Sequence, residues 1–319
     1  MTVTVLIPCY NVEEFLPQCL DSVLNQTYQD LQGVLVDDGS KDRTLAVAQV
    51  YCAKDSRIEL YHQENQGVAT TRNNLLAKVK GDYVIFIDSD DWIEPDMVEF
   101  LISKAIANNA DVTMCGMVIN DTPVKREYTE LLLTQEECVQ AFLFHKELRG
   151  SLWNKLVATN LLHNVIFHCD ISYGEDALFC WHFFQNAKSI VMTDCQLYHY
   201  RMNDTSISHQ SFGDKKLTGH QTWSIITQET SRWWPQFLHI AQARWGMEDM
   251  YLLRQAAQSN YKKNEAIRQL QNTVKQFLPQ MKATGLLSGR EILNANIMCR
   301  WYEYGMLYNK LNTIKNMFR

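Results

Sequence analysis

The chain opens on a continuous apolar and β-branched run, Val3-Thr4-Val5-Leu6-Ile7, followed by Pro8 and then by Phe15, Leu16, Cys19, Leu20, Val23 and Leu24. The unbroken run predicts a buried strand, and the three-to-four-residue recurrence predicts a helix with one apolar face. Asn11, with Glu14 three positions on, has the form of a capping box and predicts the helix start there. The alternation then repeats. Val34 to Val36 reads as a second buried strand, Asp37-Asp38-Gly39-Ser40 as a polar turn with Ser40 as N-cap, and 41–52 as a helix. A short strand at 58–61 precedes the loop 63–67, a helix at 68–79 stops before Gly81, and 83–87 is another buried strand. Pro95 suits the first turn of a helix whose inner face is Val98, Leu101, Ile102 and Ala105, and 112–114 reads as strand.

Strand and helix in regular alternation predict an α/β fold with a largely parallel, doubly wound sheet, in which ligands bind beyond the carboxyl ends of the strands. From about 125 to 209 the pattern loosens into mixed helix and loop. Beyond 215 it is helical, with breaks expected at Pro235 and Pro279. These shifts divide the chain into an α/β domain over 1–210 and a C-terminal helical region over 211–319.

Composition narrows the classes. Of 319 residues 46% are hydrophobic, enough for a sizeable core, so the chain is not disordered. A net charge of −6 lacks the basic field that nucleic-acid binding needs. Nine cysteines, without a CxxC pair or zinc-like spacing, read as reduced structural thiols. The first residues carry no basic stretch and only a short apolar run, which leads to the expectation of a cytoplasmic protein. No window approaches the roughly 20 apolar residues of a spanning helix, so any membrane contact would be peripheral.

Three acidic groups carry the candidate chemistry. Asp37 and Asp38 directly follow a buried strand and are either ligand-facing carboxylates or part of an ordinary turn. Asp88-Ser89-Asp90-Asp91 also follows a buried strand. Three carboxylates so close repel one another unless a cation or strong donors compensate, and hard oxygen ligands favour magnesium or manganese completed by substrate phosphates. A solvated acidic loop is the alternative. Glu175 and Asp176 run straight into an apolar helix containing Phe179, Trp181 and Phe183, where they serve either catalysis or the helix dipole.

In this order and setting the groups resemble glycosyltransferase family 2 with the GT-A fold. The resemblance rests on PCYNVEEFLPQCLDSVLNQTY, VLVDDGSKDRT, NQGVATTRNNLL, GDYVIFIDSDDWIEPDM, WNKL and YGEDALF, and covers roughly residues 2 to 209. It implies an inverting transferase that moves a sugar from a nucleotide-diphosphate donor, a UDP-sugar by default, to a glycan or lipid-linked acceptor in cell-surface polysaccharide synthesis. Pro8, Tyr10 and Glu13 would surround the nucleoside, with Asp38 on the base and Asp37 as its less certain partner. Asn65, Arg72 and Ser89 would line the nucleotide pocket. Asp88 and Asp90 would form the DxD pair, with Asp90 the direct ligand of Mn2+ or Mg2+ and Asp88 closer to the ribose or metal. Asp176 would be the catalytic base, with Glu175 as its neighbour or understudy. In Tyr198-His199-Tyr200-Arg201, followed by Ser206, the resemblance implies a diphosphate clamp in Arg201 and a further metal ligand in His199, against a plain structural role for the histidine. Trp153, Asn154 and Lys155 match a block near the acceptor side, and Trp153 could equally be core.

A nucleotidyltransferase would want an early glycine-rich basic loop that PCYN lacks, and a dinucleotide oxidoreductase would want GxGxxG after the first strand. A nucleotide-sugar-binding partner without turnover remains the non-enzymatic alternative. In the last stretch Leu307, Leu311, Ile314 and Phe318 recur beside Lys310, Lys315 and Arg319, a pattern that fits packing onto the catalytic domain or contact with an anionic inner-membrane surface.

Overall fold

The computed structural model describes residues 1–144, 148, 150–202 and 212–302. The 307–319 pattern and Ser206 lie outside them. Among the described residues nine strands form one sheet: β1 Val3–Cys9, β2 Leu31–Asp38, β3 Ile58–Gln63, β4 Tyr83–Phe86, β5 Trp92–Ile93, β6 Val112–Ile119, β7 Glu130–Thr134, β8 Lys155–Ala158 and β9 Ser189–Tyr200. Their order is β3-β2-β1-β4-β8-β6-β9-β5, with β7 pairing on β9. The first four strands are mutually parallel, as the alternation predicts. β8 runs antiparallel to both β4 and β6, and β5 and β7 run antiparallel to β9. The sheet is therefore mixed and mostly parallel.

The same residues hold ten α-helices: α1 Leu16–Leu24, α2 Thr44–Lys54, α3 Val68–Leu76, α4 Met97–Asn108, α5 Gln135–Phe144, α6 Glu175–Phe184, α7 Thr218–Trp233, α8 Leu238–Gln258, α9 Asn264–Ala283 and α10 Gly289–Met298. Helix α1 buries Leu16, Cys19, Leu20 and Val23, and α4 buries Val98, Leu101, Ile102 and Ala105, in one cluster with Val3, Val5, Ile7, Leu35 and Ile85 of the sheet. Burial of a Leu or Ile side chain contributes roughly 1.5–3 kcal/mol, so this helix-on-sheet layer carries much of the stability that fixes the strand ends. Contacts divide the chain into two compact units. The first is Met1–Val139, Gly150–Cys169 and Phe179–Asp204, and the second is Gln140–Arg149, Asp170–Leu178 and Thr205–Arg319.

Several sequence expectations are corrected. Asn11 adopts φ 52° and starts no helix; α1 begins at Leu16 with a proline in its first turn. The Asn11 side chain instead accepts from the Lys41 N–H (2.8 Å), while Ser40 Oγ accepts from the Asn11 N–H (3.0 Å), so the two polar residues staple one loop to the next. Helix α2 accordingly starts at Thr44 and not at Lys41. Asp37 and Asp38 are the last residues of β2, not a turn. The loosely patterned stretch beyond 125 holds three strands, of which β9 is 12 residues long. Pro235 does separate α7 from α8, but Pro279 lies inside α9, one turn before its end, where the buried Met281 keeps the last turn packed. Among the described residues no helix is long and apolar enough to cross a membrane. All nine cysteines are free thiols.

Candidate active site

Parallel pairing sets the site. Cys9 pairs with Asp37, Asp37 with His62, Asp38 with Gln63, and Leu6 with Phe86, so β1 to β4 end at one edge and deliver Tyr10, Asp37, Asp38 and the Asp88–Asp91 loop there. Pro8 is half-buried in β1, and Tyr10, just past it, is 44% exposed. Glu13 is turned to the neighbouring loop, where its carboxylate accepts from the Arg43 N–H (2.6 Å).

The two adjacent aspartates do different things. Asp38 is spent on architecture: Oδ1 accepts from the Gln66 N–H (2.8 Å) and Gln63 Nε2 (2.8 Å), and Oδ2 accepts from the Gly67 N–H (2.9 Å). Its backbone carbonyl accepts from Asn65 Nδ2 (3.0 Å), which accounts for the Asn65 side chain as a loop latch. Asp37 is fully buried, with Oδ2 at 2.7 Å from His62 Nδ1, while Oδ1 has no hydrogen-bond partner among the described residues. A buried carboxylate oxygen left unsatisfied costs free energy unless a ligand completes it. The geometry therefore favours Asp37, not Asp38, as the carboxylate with an oxygen to give. His62 went unnoticed in the sequence; its place at the end of β3, in register with Asp37, was the available signal.

In the Asp88–Asp91 loop the carboxylates again divide. Asp91 is buried, accepting from the Tyr198 hydroxyl (2.7 Å) and the Arg201 N–H (2.7 Å). Burial first, then the negative charges of Asp88 and Asp90, push its carboxyl up to about 8. Asp88 is partly open and meets an Arg72 guanidinium nitrogen at 3.5 Å. Arg72 is buried in α3 and lies over the Phe167 ring at 5.5 Å. Ser89 is buried beside them, and Asp90 is half-buried with its carbonyl accepting from Arg201 Nε (2.7 Å). The Arg201 guanidinium rests on Trp92 (4.5 Å) and Phe15 (4.9 Å) and also reaches Gln18. It is thus fixed at the acidic loop by backbone and ring contacts.

His199 is committed elsewhere. Nδ1 faces the Asn120 carbonyl (2.9 Å), Nε2 faces Glu94 Oε1 (2.7 Å), and the ring stacks on Trp92 at 4.8 Å. A carbonyl only accepts, so Nδ1 donates, and the carboxyl at Nε2 occupies the other nitrogen. Both ring nitrogens are thus engaged within the protein, whereas the resemblance would make His199 a metal ligand. Trp153 stacks on Tyr198 (4.5 Å), Asn154 donates to the Cys115 carbonyl (2.6 Å), and buried Lys155 donates to the Ser151 carbonyl (2.5 Å) and Asn154 Oδ1 (2.9 Å). This block props up the strand bearing Tyr198.

Among the described residues no three His, Cys, Asp or Glu side chains are grouped to hold a metal by themselves. The donors present are hard oxygens, with Asp88 and Asp90 beside the buried Asp91 carboxyl, whose raised proton affinity comes first from burial and then from their two charges. That set fits a divalent ion bound through one or two carboxylates and completed by substrate phosphates.

Glu175 and Asp176 occupy the first turn of α6 and belong to the second unit. Gly174 before them has φ 86°, a conformation open to glycine at little cost. The turn is tied to α7, since Thr218 Oγ1 accepts from the N–H groups of Ser172 (3.1 Å) and Tyr173 (2.9 Å).

Comparison with known proteins assigns this architecture. The profile of glycosyl transferase family 2 matches residues 4–171, ending just before Glu175. A Bacillus subtilis protein named as a glycosyltransferase, EpsH, is 34% identical over 247 residues, covering 72% of this chain and 70% of that protein. The cholesterol galactosyltransferase of Borreliella burgdorferi is 30% identical over 244 residues, covering 71% and 68%. Among solved structures, Staphylococcus aureus TarS 1–349, also determined in complex with UDP-GlcNAc, superposes with a TM-score of 0.70 at 20% identity, covering 97% of this chain and 89% of that one. The mannosyltransferase PcManGT of Pyrobaculum calidifontis, in complex with GDP-Man and Mn2+, gives 0.57 at 16% identity, covering 94% and 87%.

Proposed function

The chain belongs to glycosyltransferase family 2 and is a glycosyltransferase, and on that premise we propose that it inverts the anomeric centre of a UDP-sugar while passing the sugar to a glycan or lipid-linked acceptor. The observation that carries the nucleotide assignment is the partnerless Oδ1 of Asp37 at the carboxyl edge. An N–H of a pyrimidine base would satisfy it. TarS binds UDP-GlcNAc and UDP, which supports uridine as the nucleoside. Tyr10 would lie against the base, and Arg72 and Arg201 would face the diphosphate as charge-assisted donors. Asp88 and Asp90 would hold Mn2+ or Mg2+, which supplies neutralisation of charge on the leaving diphosphate.

The chain's own remaining task is a proton transfer. Asp176, with Glu175 beside it, would take the proton of the acceptor hydroxyl as that oxygen attacks the anomeric carbon from the face opposite the departing diphosphate. General-base assistance of this kind contributes roughly 10²- to 10⁴-fold. One carboxylate suffices, because inversion by direct displacement forms no glycosyl-enzyme. A place in cell-surface polysaccharide synthesis is part of the same proposal.

The test is a thermal-shift screen of UDP, GDP, CDP and dTDP and their sugars, each with Mn2+ and with EDTA, since a ligand selective for the native state raises Tm. A metal-dependent rise with uridine nucleotides is expected. A rise with another nucleotide alone would overturn the UDP assignment, and equal rises in EDTA would overturn the metal assignment.

A further inference from the structure

Helix α8 carries a polar stripe, Arg244, Glu248, Tyr251 and Gln255, at helical spacing on a helix otherwise buried through Ala243, Met247, Met250, Leu252 and Leu253. The stripe faces the segment that precedes Glu175. Tyr173 lies in the electrostatic reach of Glu248, Tyr251 and Glu175. Lys216 Nζ donates to Gln255 Oε1 at 2.9 Å and sits over the Tyr173 ring at 5.9 Å. Gly219 of α7 makes the approach feasible. A Cβ there would stand 2.9 Å from the Tyr173 ring and 3.7 Å from the Glu248 carboxylate.

Arg244 is incompletely satisfied by the described residues. Arg244 lies over the Trp223 ring at 5.0 Å, and its Nε is buried without a hydrogen-bond partner. Glu248 stands one turn further on and attracts Arg244 electrostatically, but no close ion pair joins the two among the described residues. Burial pulls the Arg244 guanidinium down and pushes the Glu248 carboxyl up, so each charged form is held at a cost. A helix built only for stability would have joined or replaced them. Beside them Tyr251 is 49% exposed, an aromatic face open to solvent.

We propose that Arg244, Glu248 and Tyr251 form the subsite for the acceptor sugar, with the guanidinium donating to its hydroxyl oxygens, the carboxylate accepting from its hydroxyl groups and the tyrosine ring covering its apolar face. The assignment rests on the glycosyl-transfer reading above, and it places acceptor recognition in the same unit as Glu175 and Asp176. A fixed donor array, a fixed acceptor and one aromatic ring are the complement of a polyhydroxylated ring, whereas a phosphate would be repelled by Glu248 and an apolar ligand by both charges.

The experiment uses the full chain and the variants Arg244→Gln and Glu248→Gln. Intrinsic tryptophan fluorescence, reporting through Trp223, is titrated with the methyl glycosides of glucose, galactose, mannose, N-acetylglucosamine and glucuronic acid. Tm and the slow release of UDP from UDP-GlcNAc in the absence of acceptor are followed in parallel. At least one glycoside is expected to bind the native chain, and each variant to weaken it by roughly tenfold or more. UDP release should stay within about twofold, and Tm should hold or rise, because an unsatisfied charge has been removed. The proposal is overturned if no glycoside of the set binds, if the variants bind it as the native chain does, or if both variants fall in Tm by several degrees, which would make the pair structural. Absence of UDP binding by the native chain would instead sink the donor assignment, whatever the glycoside titration gives.

Discussion

Replacing Asp38 with alanine and Asp37 with asparagine should produce opposite phenotypes from neighbouring residues. Asp38 holds the N–H groups of Gln66 and Gly67 and the Gln63 amide, and it is 3% exposed. Hydrogen bonds to a charged acceptor contribute roughly 1.5–3 kcal/mol each. Gln66 and Gly67 lie on an exposed loop and can rehydrate, so the low end applies, and two such bonds give a loss of about 3 kcal/mol. For a unit of this size that is a fall in Tm of roughly 6–12 °C. In Asp37→Asn the oxygen facing His62 is kept and a buried charge is removed, so stability should change by less than about 1 kcal/mol. What should be lost is the charged acceptor for the base, about ten- to a hundredfold in UDP affinity.

Urea unfolding followed by tryptophan fluorescence reads the first quantity, and calorimetric titration with UDP and Mn2+ reads the second. If Asp38→Ala unfolds at the native urea midpoint, the latch is not holding the loop. If Asp37→Asn binds UDP as the native chain does while Asp38→Asn does not, the division of labour drawn from the orphaned oxygen is reversed and the base contact belongs to Asp38.

Asp176→Asn should lower transfer by roughly 10²- to 10⁴-fold with UDP affinity nearly intact, and near-native turnover would remove Asp176 from the base role. Asp90→Ala should abolish the difference in UDP affinity between Mn2+ and EDTA, as calorimetry will show; a difference that persists would remove Asp90 from the metal site. Gly174→Ala forces a Cβ to 3.0 Å from Thr222 at φ 86°, a strain of about 1–2 kcal/mol, and should reduce transfer more than UDP binding. Glu248 has a folded-state pKa raised by burial, so the folded state binds the extra proton and stability falls as pH rises from the ordinary glutamate value of 4.5 through the raised one. Glu248→Gln should flatten that part of the Tm-versus-pH curve, and an unchanged slope would place the carboxylate in water.

The sheet was legible where its strands are fully buried. Continuous apolar runs such as Leu6-Ile7 and Val34-Leu35-Val36 admit few other readings, and a loop after such a run lands at the carboxyl edge whatever its exact bounds. The antiparallel strands were not legible. β7, Glu130–Thr134, has an exposed, uninformative pattern, and β9 carries Asp194 and Gln196 among its apolar residues, so neither advertises a strand until its partner is known. Capping failed at Asn11 for a related reason: a short polar side chain serves a neighbouring loop as readily as its own helix, and sequence spacing cannot distinguish the two.

The same limit governs the site. Motif spacing brings Asp37 and Asp38 to the edge together, but which carboxylate is spent on the fold and which is left for a ligand depends on the amides of residues 66 and 67, almost thirty positions away. His199 shows the converse case, a residue of suitable chemistry whose two nitrogens were already claimed by Glu94 and Asn120. The stripe on α8 had no motif to announce it at all; it stands out only because two charges one turn apart on a helix face form no close ion pair among the described residues. Across these sites the informative quantity is the hydrogen-bonding capacity left over once the fold has taken its share, and it points to Asp37 at the sheet edge and Arg244 in the helices as groups that a ligand from outside the chain could complete.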